Sequence, residues 1–322
     1  MTASPTRILV AESDRFTARA ESILRDLGDV QLADLDRAGL LRNLGDTDVL
    51  WVRLRHRIDA EVMALAPRLK FIVSPTTGLN HIDLAAAAQR GVHVVSLRGE
   101  TGFLREIRAT AEHTLALALA LLRHLPGACN HVKAGGWNRD LFWGRELAGK
   151  SVGIIGFGRL GQIVAEYFQA FGCRVLATDP LVASAAVTPN VSFVPLAELL
   201  ATADLVTLHV NLSDTSQRFF GRDQFARMKT GSWFINTARG ELVDEVALLA
   251  ALESRQLAGA AVDVLADESS VGMQNHPLVQ YSRTHDNLII TPHLGGCTFE
   301  SVEKTEVFLA EKLRSLLVVA RS

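Results

Sequence analysis

Three segments of this sequence hold side chains suited to moving a proton beside an anionic substrate. They are Asn236-Thr237-Ala238-Arg239-Gly240, Asp263-Val264-Leu265-Ala266-Asp267-Glu268 and Thr291-Pro292-His293-Leu294-Gly295-Gly296. Arginine carries a planar fork of donors and stays charged, so Arg239 can grip a carboxylate at two points. Histidine titrates near working pH, so His293 can protonate an oxygen that is becoming an alkoxide. A carboxylate beside that ring stabilises its protonated form and fixes its orientation, a role open to Glu268. Taken singly, each has a plainer reading: a surface ion-pair partner, a solvated acid beside Asp267, a helix cap after a Thr-Pro turn. Each follows an apolar strand-like run, and the combination favours hydride transfer to a 2-keto acid.

The hydride source is suggested by Gly156-Phe157-Gly158-Arg159-Leu160-Gly161, a G-x-G-x-x-G turn. Alone it is a weak signal. Here it follows the apolar run Ser151–Ile155 and opens a helical pattern, and Asp179 closes the next strand 18 positions after Gly161. Gly156 permits the tight turn, Gly158 lets the backbone approach a pyrophosphate, and Gly161 lets helix and strand pack closely. The helix N-terminus offers unpaired N–H groups to phosphate. Asp179 suits the ribose hydroxyls and repels a 2′-phosphate, so NAD is expected over NADP.

These residues need strand ends to hold them, and the hydropathy pattern supplies them. Arg7–Ala11, Val49–Val52, Phe71–Val73 and His93–Val95 read as strands, with helical spacing at Phe16–Leu27 and Ala60–Leu65. A long helix is expected over Ile107–Leu125, ending at Pro126-Gly127, followed by the turn-rich stretch Ala134–Lys150. The alternation then restarts, with strands at Ser151–Ile155, Arg174–Ala177, Leu205–Val210, Ser232–Asn236, Gly259–Val264 and Asn287–Thr291. Helices are expected at Gln162–Phe171, Leu196–Ala201, Glu245–Ser254 and Glu300–Val319, the last returning to the first unit. Strand-helix alternation predicts α/β architecture with parallel, doubly wound sheets, and 322 residues suggest two domains.

A net charge of −2, with no basic run, gives no reason to expect nucleic acid or an anionic membrane as partner. Cys129, Cys173 and Cys297 form no metal-ligand spacing, so no metal site is expected and a reducing compartment is the simplest reading. The N-terminus lacks a secretory signal, and the apolar run Leu115–Leu122 is too short for a bilayer. A cytoplasmic protein is expected.

The segments GFGRLGQ, NTARGELVDEVALLAAL, AVDVLADE and NLIITPHLGG, in this order, resemble the D-isomer-specific 2-hydroxyacid dehydrogenase family. Gly78-Leu79-Asn80-His81-Ile82-Asp83, Ala111-Glu112-His113 and Glu146-Leu147-Ala148-Gly149-Lys150 extend the likeness from about Val49 to Gly296. The resemblance implies Arg239 as carboxylate and carbonyl binder, His293 as acid/base and Glu268 as its partner. It implies cofactor contacts at Gly156, Gly158, Arg159, Leu160, Gly161, Asp179, His209, Ala238, Asp263, Gly295 and Gly296, with Asp263 on the nicotinamide carboxamide. Substrate contacts fall to Thr77, Gly78 and Leu79. Residues 1–100 and 297–322 become a flavodoxin-like substrate domain and residues 101–296 a Rossmann-type NAD domain, with a hinged cleft and a homodimer.

Four departures stand out. Ser269 follows Glu268 where the family usually has Pro, and Asn211 replaces Pro in Leu208-His209-Val210-Asn211-Leu212. The segment between Leu97 and Thr110 is long and brings in Arg98, Arg105 and Arg108, and Ser269–Asp286 is extended. Arg53 and Arg55 match an R-x-R that meets substrate phosphate in phosphoglycerate-type members, which raises a doubly anionic substrate; the plainer reading pairs them with nearby acids. The chain ends soon after its last helix, so no C-terminal regulatory module is expected. Formate-type members carry Gln at the Glu268 position and are disfavoured. A phosphite-type dehydrogenase and an NAD-sensing corepressor keep the same set and stay open as alternatives; the corepressor usually adds interaction tails.

Overall fold

The computed structural model describes residues 5–181, 189–266, 268 and 272–319. Ser269 and the start of the stretch 269–286 lie outside the described residues. The chain divides into two compact units, Met1–Ile107 with Thr298–Ser322, and Arg108–Cys297.

In the first unit, β1 (Thr6–Val10), β2 (Gly28–Leu32), β3 (Val49–Trp51), β4 (Phe71–Ser74) and β5 (His93–Ser96) form a parallel sheet in the order β2-β1-β3-β4-β5. Successive strand residues point to opposite faces, so each strand feeds two cores. Ile8, Val10, Val49 and Trp51 join one, with Ala20 and Leu24 of the helix Ala18–Leu27 and Leu309, Leu313 and Leu317 of the helix Phe299–Val319. Leu9, Leu50 and Ile72 join the other with Leu40, Val62 and Met63. The C-terminal helix therefore packs on the first unit, as the hydropathy pattern predicts. Strand β2 escapes the sequence pattern because it is an edge strand with only Val30 buried.

Part of the segment Leu97–Thr110 is core rather than exposed insertion. It forms the short helix Thr101–Leu104, Phe103 stacks on Phe308 at 4.0 Å between ring centroids, and Leu104 and Ile107 are buried. Arg98 and Arg105 are exposed, and Arg108 pairs with Glu166 at 2.9 Å.

The second unit continues with β6 (Ser151–Ile155), β7 (Arg174–Thr178), β8 (Val191–Phe193), β9 (Leu205–Leu208), β10 (Ser232–Asn236), β11 (Leu257–Val262) and β12 (Leu288–Ile290). All are parallel, in the order β12-β11-β10-β9-β6-β7-β8. Strands β6 and β9 are neighbours although the chain visits β7 and β8 between them, so the winding reverses there. In such sheets ligands sit at the carboxyl ends of strands at the reversal. Both units are thus doubly wound parallel α/β sheets.

The expected long helix is two helices, Ala109–Leu122 and Leu125–Lys133. His124 takes a left-handed conformation (φ 53°) and breaks the run. Pro126-Gly127 lies in the first turn of the second helix instead of ending the first; a missing N–H costs nothing at that position. No helix among the described residues is long and apolar enough to cross a membrane.

Candidate active site

The glycine turn leaves β6 at the winding reversal. Gly156 has φ +91°, and a Cβ there would lie 2.6 Å from the carbonyl oxygen of His209. A Cβ on Gly161 would lie 2.2 Å from the carbonyl oxygen of Gly156. Those two glycines are required by close backbone approach. Gly158 differs: nothing lies within 4 Å of the place its Cβ would take, so its face is open. It precedes the helix Arg159–Ala170, whose N-terminus has no side-chain cap.

Asp179, just beyond β7, is held by two backbone donors, the N–H of Phe157 at 2.8 Å on Oδ2 and that of Leu181 at 2.8 Å on Oδ1. The carboxylate is thereby fixed beside the glycine turn with lone pairs to spare. After β9, burial and then the charge of Arg159 push the His209 imidazole down to about 3. The ring is neutral through the working range. Its Nε2 lies 3.1 Å from Thr207 Oγ1, while Nδ1 is buried without a hydrogen-bond partner among the described residues. An open glycine face, an uncapped helix start, a fixed acid and an orphaned ring nitrogen fit a dinucleotide.

The turn after β10 is shaped by Asn236, whose side chain accepts from Ala238 N at 3.0 Å and donates to the Arg239 carbonyl at 2.8 Å. Thr237 Oγ1 meets Thr114 Oγ1 at 2.9 Å. Arg239 is half-buried, and its Nη1 donates to the Ala238 carbonyl at 2.6 Å. Gly240 then packs against the next loop, where a Cβ would lie 2.0 Å from the carbonyl carbon of Leu265 and 2.2 Å from Ala266 N. Gly240→Ala must therefore displace backbone. We expect a lower thermal midpoint, equivalent to about 1–3 kcal/mol for an overpacked site, and loss of the Arg239 geometry. An unchanged melting curve would contradict this.

Glu268 and His293 meet, with Oε1 and Nδ1 2.5 Å apart. His293 holds φ +54°, a conformation uncommon for a residue with a side chain. Asp263, at the end of β11, supplies the restraint. Its carbonyl accepts from His293 N at 2.8 Å, and its carboxylate accepts from Leu294 N at 2.8 Å and Gly295 N at 2.8 Å. Thr291 Oγ1 donates to the same carboxylate at 2.5 Å, and His113 Nε2 lies 3.1 Å away. Burial alone raises the Asp263 carboxyl, but the hydrogen bonds from His113, Thr291, Leu294 and Gly295 outweigh it and hold the pKa below the usual carboxylate value. Sequence reasoning gave no role to His113, Thr291 or Asn236. Among the described residues, no group of three or more His, Cys, Asp or Glu side chains is arranged to hold a metal ion.

The remaining expected positions lie in the first unit. Thr77, Gly78 and Leu79 follow β4 in a turn where Thr76 Oγ1 donates to the Gly78 carbonyl at 2.8 Å. Arg53 pairs with the fully buried Glu306 at 2.6 Å and donates to the Asp14 carbonyl at 2.8 Å. Arg55 pairs with Asp34 at 2.7 Å. Both guanidinium groups have acid partners within their own unit.

Comparison with known proteins places this geometry in context. The family model described as D-isomer specific 2-hydroxyacid dehydrogenase, NAD binding domain, matches residues 115–295. The D-3-phosphoglycerate dehydrogenase of Mycobacterium leprae is 36% identical over 311 residues, covering 96% of this chain and 57% of that enzyme. The chain thus spans little more than half the length of that relative. The glyoxylate reductase of Thermofilum pendens is 35% identical, with 87% of this chain and 81% of the reductase covered. Among solved structures, the D-lactate dehydrogenase of Aquifex aeolicus complexed with NAD and lactic acid superposes with a TM-score of 0.83 at 27% identity, covering 97% of this chain and 95% of that one.

Proposed function

The chain belongs to the D-isomer specific 2-hydroxyacid dehydrogenase family, and from that premise we propose that it interconverts a 2-hydroxy acid of the D-isomer and its 2-keto acid with NAD. The observation that carries the proposal is the 2.5 Å Glu268–His293 pair, on the loops after two neighbouring strands of a dinucleotide-binding sheet, with Arg239 after the third. When bound, the nicotinamide supplies or accepts the hydride. Arg239 grips the substrate carboxylate and polarises the carbonyl. His293 protonates the oxygen during reduction and removes the proton during oxidation, and Glu268 stabilises the charged ring between those events. The turn Gly156–Gly161 takes the pyrophosphate. The buried ring of His209, with Ala238, Asp263, Gly295 and Gly296, borders the nicotinamide end, and Thr77, Gly78 and Leu79 offer backbone to the substrate carboxylate.

The substrate is proposed to be small and singly charged. Arg53 and Arg55 are neutralised by Glu306 and Asp34, which argues against their meeting a phosphate. The test is an NADH-oxidation assay across 2-keto acids. Glyoxylate should give the higher kcat/KM, and a clear preference for a phosphorylated or phosphonylated keto acid would overturn this choice. Absence of turnover across the panel would overturn the enzymatic reading and favour a binding protein.

Asp179 is proposed to select NAD. Fluorescence titration should show NADH binding at least about tenfold more tightly than NADPH, a difference of about 1.4 kcal/mol. Equal affinities would remove the role given to Asp179. A homodimer is part of the same reading, supported by exposed Leu125, Val132, Trp137, Leu141 and Trp143 on one short segment of the second unit. Light scattering that reports a monomer would contradict it. The thiols of Cys129, Cys173 and Cys297 are free, which supports a reducing, cytoplasmic setting.

A further inference from the structure

Glu268 has 38% of its side chain exposed, yet it makes a 2.5 Å contact with His293. So open a group gains little restraint from packing, and the backbone that carries it offers one. That loop is clamped two residues earlier. Ala266 N donates to Glu245 Oε1 at 2.8 Å, and Gly240 packs against the same peptide, with a Cβ there falling 2.2 Å from Ala266 N. The second oxygen of Glu245 lies 3.1 Å from His276 Nε2. A ring nitrogen facing a carboxylate carries the proton, so His276 donates and holds Glu245 in place. His276 Nδ1 is buried and has no hydrogen-bond partner among the described residues, so no second polar contact there draws the ring away.

Glu245 opens the helix Glu245–Glu253 but does not serve as its cap. Asp244 does that, accepting from Val246 N at 3.0 Å and Ala247 N at 3.1 Å. The Glu245 side chain is only 18% exposed and turns to the neighbouring loop. We infer that Glu245, held by His276, is a positioning residue that fixes the peptide between Leu265 and Ala266 and so presents Glu268 to His293. This inference rests on the roles proposed above for Glu268 and His293.

Two measurements on the full chain test it. In Glu245→Ala, hydrogen exchange across residues 264–268 should rise several-fold, and kcat with NADH and glyoxylate should fall about tenfold or more, with a small change in KM. The pH at which kcat/KM is half-lost should move in the direction seen for Glu268→Gln. Adding Glu245→Ala to Glu268→Gln should move it no further. Glu245→Gln keeps an oxygen for Ala266 N and should recover most of the loss. Unchanged exchange in Glu245→Ala would overturn the inference. So would a pH profile that stays with wild type while Glu268→Gln shifts. If Glu268→Gln itself leaves the profile in place, the role proposed for Glu268 fails, and the inference falls with it.

Discussion

His293→Ala is expected to lower kcat for 2-keto acid reduction by about 10² or more, with little change in the binding of NADH. The loss corresponds to about 2.7 kcal/mol of transition-state stabilisation. Alanine removes the proposed proton donor and leaves Glu268 without the ring it contacts at 2.5 Å. The surrounding loop should survive, because the restraint at this position is backbone. The His293 N–H goes to the Asp263 carbonyl, and the Asp263 carboxylate holds Leu294 and Gly295 from the other side. A melting temperature near wild type beside a collapsed kcat is the expected pattern. Near-wild-type turnover would remove His293 from the mechanism.

Arg239→Ala should raise KM for the keto acid and lower kcat together. The guanidinium is proposed to hold the carboxylate in the ground state and to polarise the carbonyl as charge develops on its oxygen. An interaction of the first kind appears in KM and one of the second kind in kcat. The combined fall in kcat/KM should reach about 10³, near the upper range for losing a preorganised donor. Arg239→Lys keeps the charge but loses the two-point fork, and should recover only part of the loss. The turn itself should persist in both variants, because Asn236 and Gly240 shape it. A change in KM alone would assign Arg239 to binding only.

The sequence made most of the second unit easy to read because its central strands are short apolar runs buried on both faces, as at Ser151–Ile155 and Ser232–Asn236, whereas β8 at the edge is only partly buried and left no such run. The glycine turn was equally legible, since two of its glycines are dictated by backbone contacts under 3 Å. Other features depend on tertiary partners and leave little local trace. Strand β2 buries one residue and pairs only with β1. The helix break at His124 comes from a left-handed conformation that no glycine announces. The hub around Asp263 joins His113 and Thr291 across more than 100 positions of sequence. Arg53 and Arg55 show the converse. Their spacing suggested a phosphate, while their acid partners, Glu306 and Asp34, could be identified only in three dimensions.

The central claim is hydride transfer to the carbonyl carbon of a 2-keto acid, with the proton on oxygen coming through His293. The most direct measurement uses NADH carrying deuterium at the transferable position, incubated with the protein and glyoxylate or pyruvate, followed by analysis of the product. Deuterium at C2 of the hydroxy acid is the predicted result, with the D configuration when pyruvate is the substrate and labelled product forming about 10²-fold more slowly in His293→Ala. A hydroxy acid without the label, or labelled product formed equally well by His293→Ala, would contradict the account.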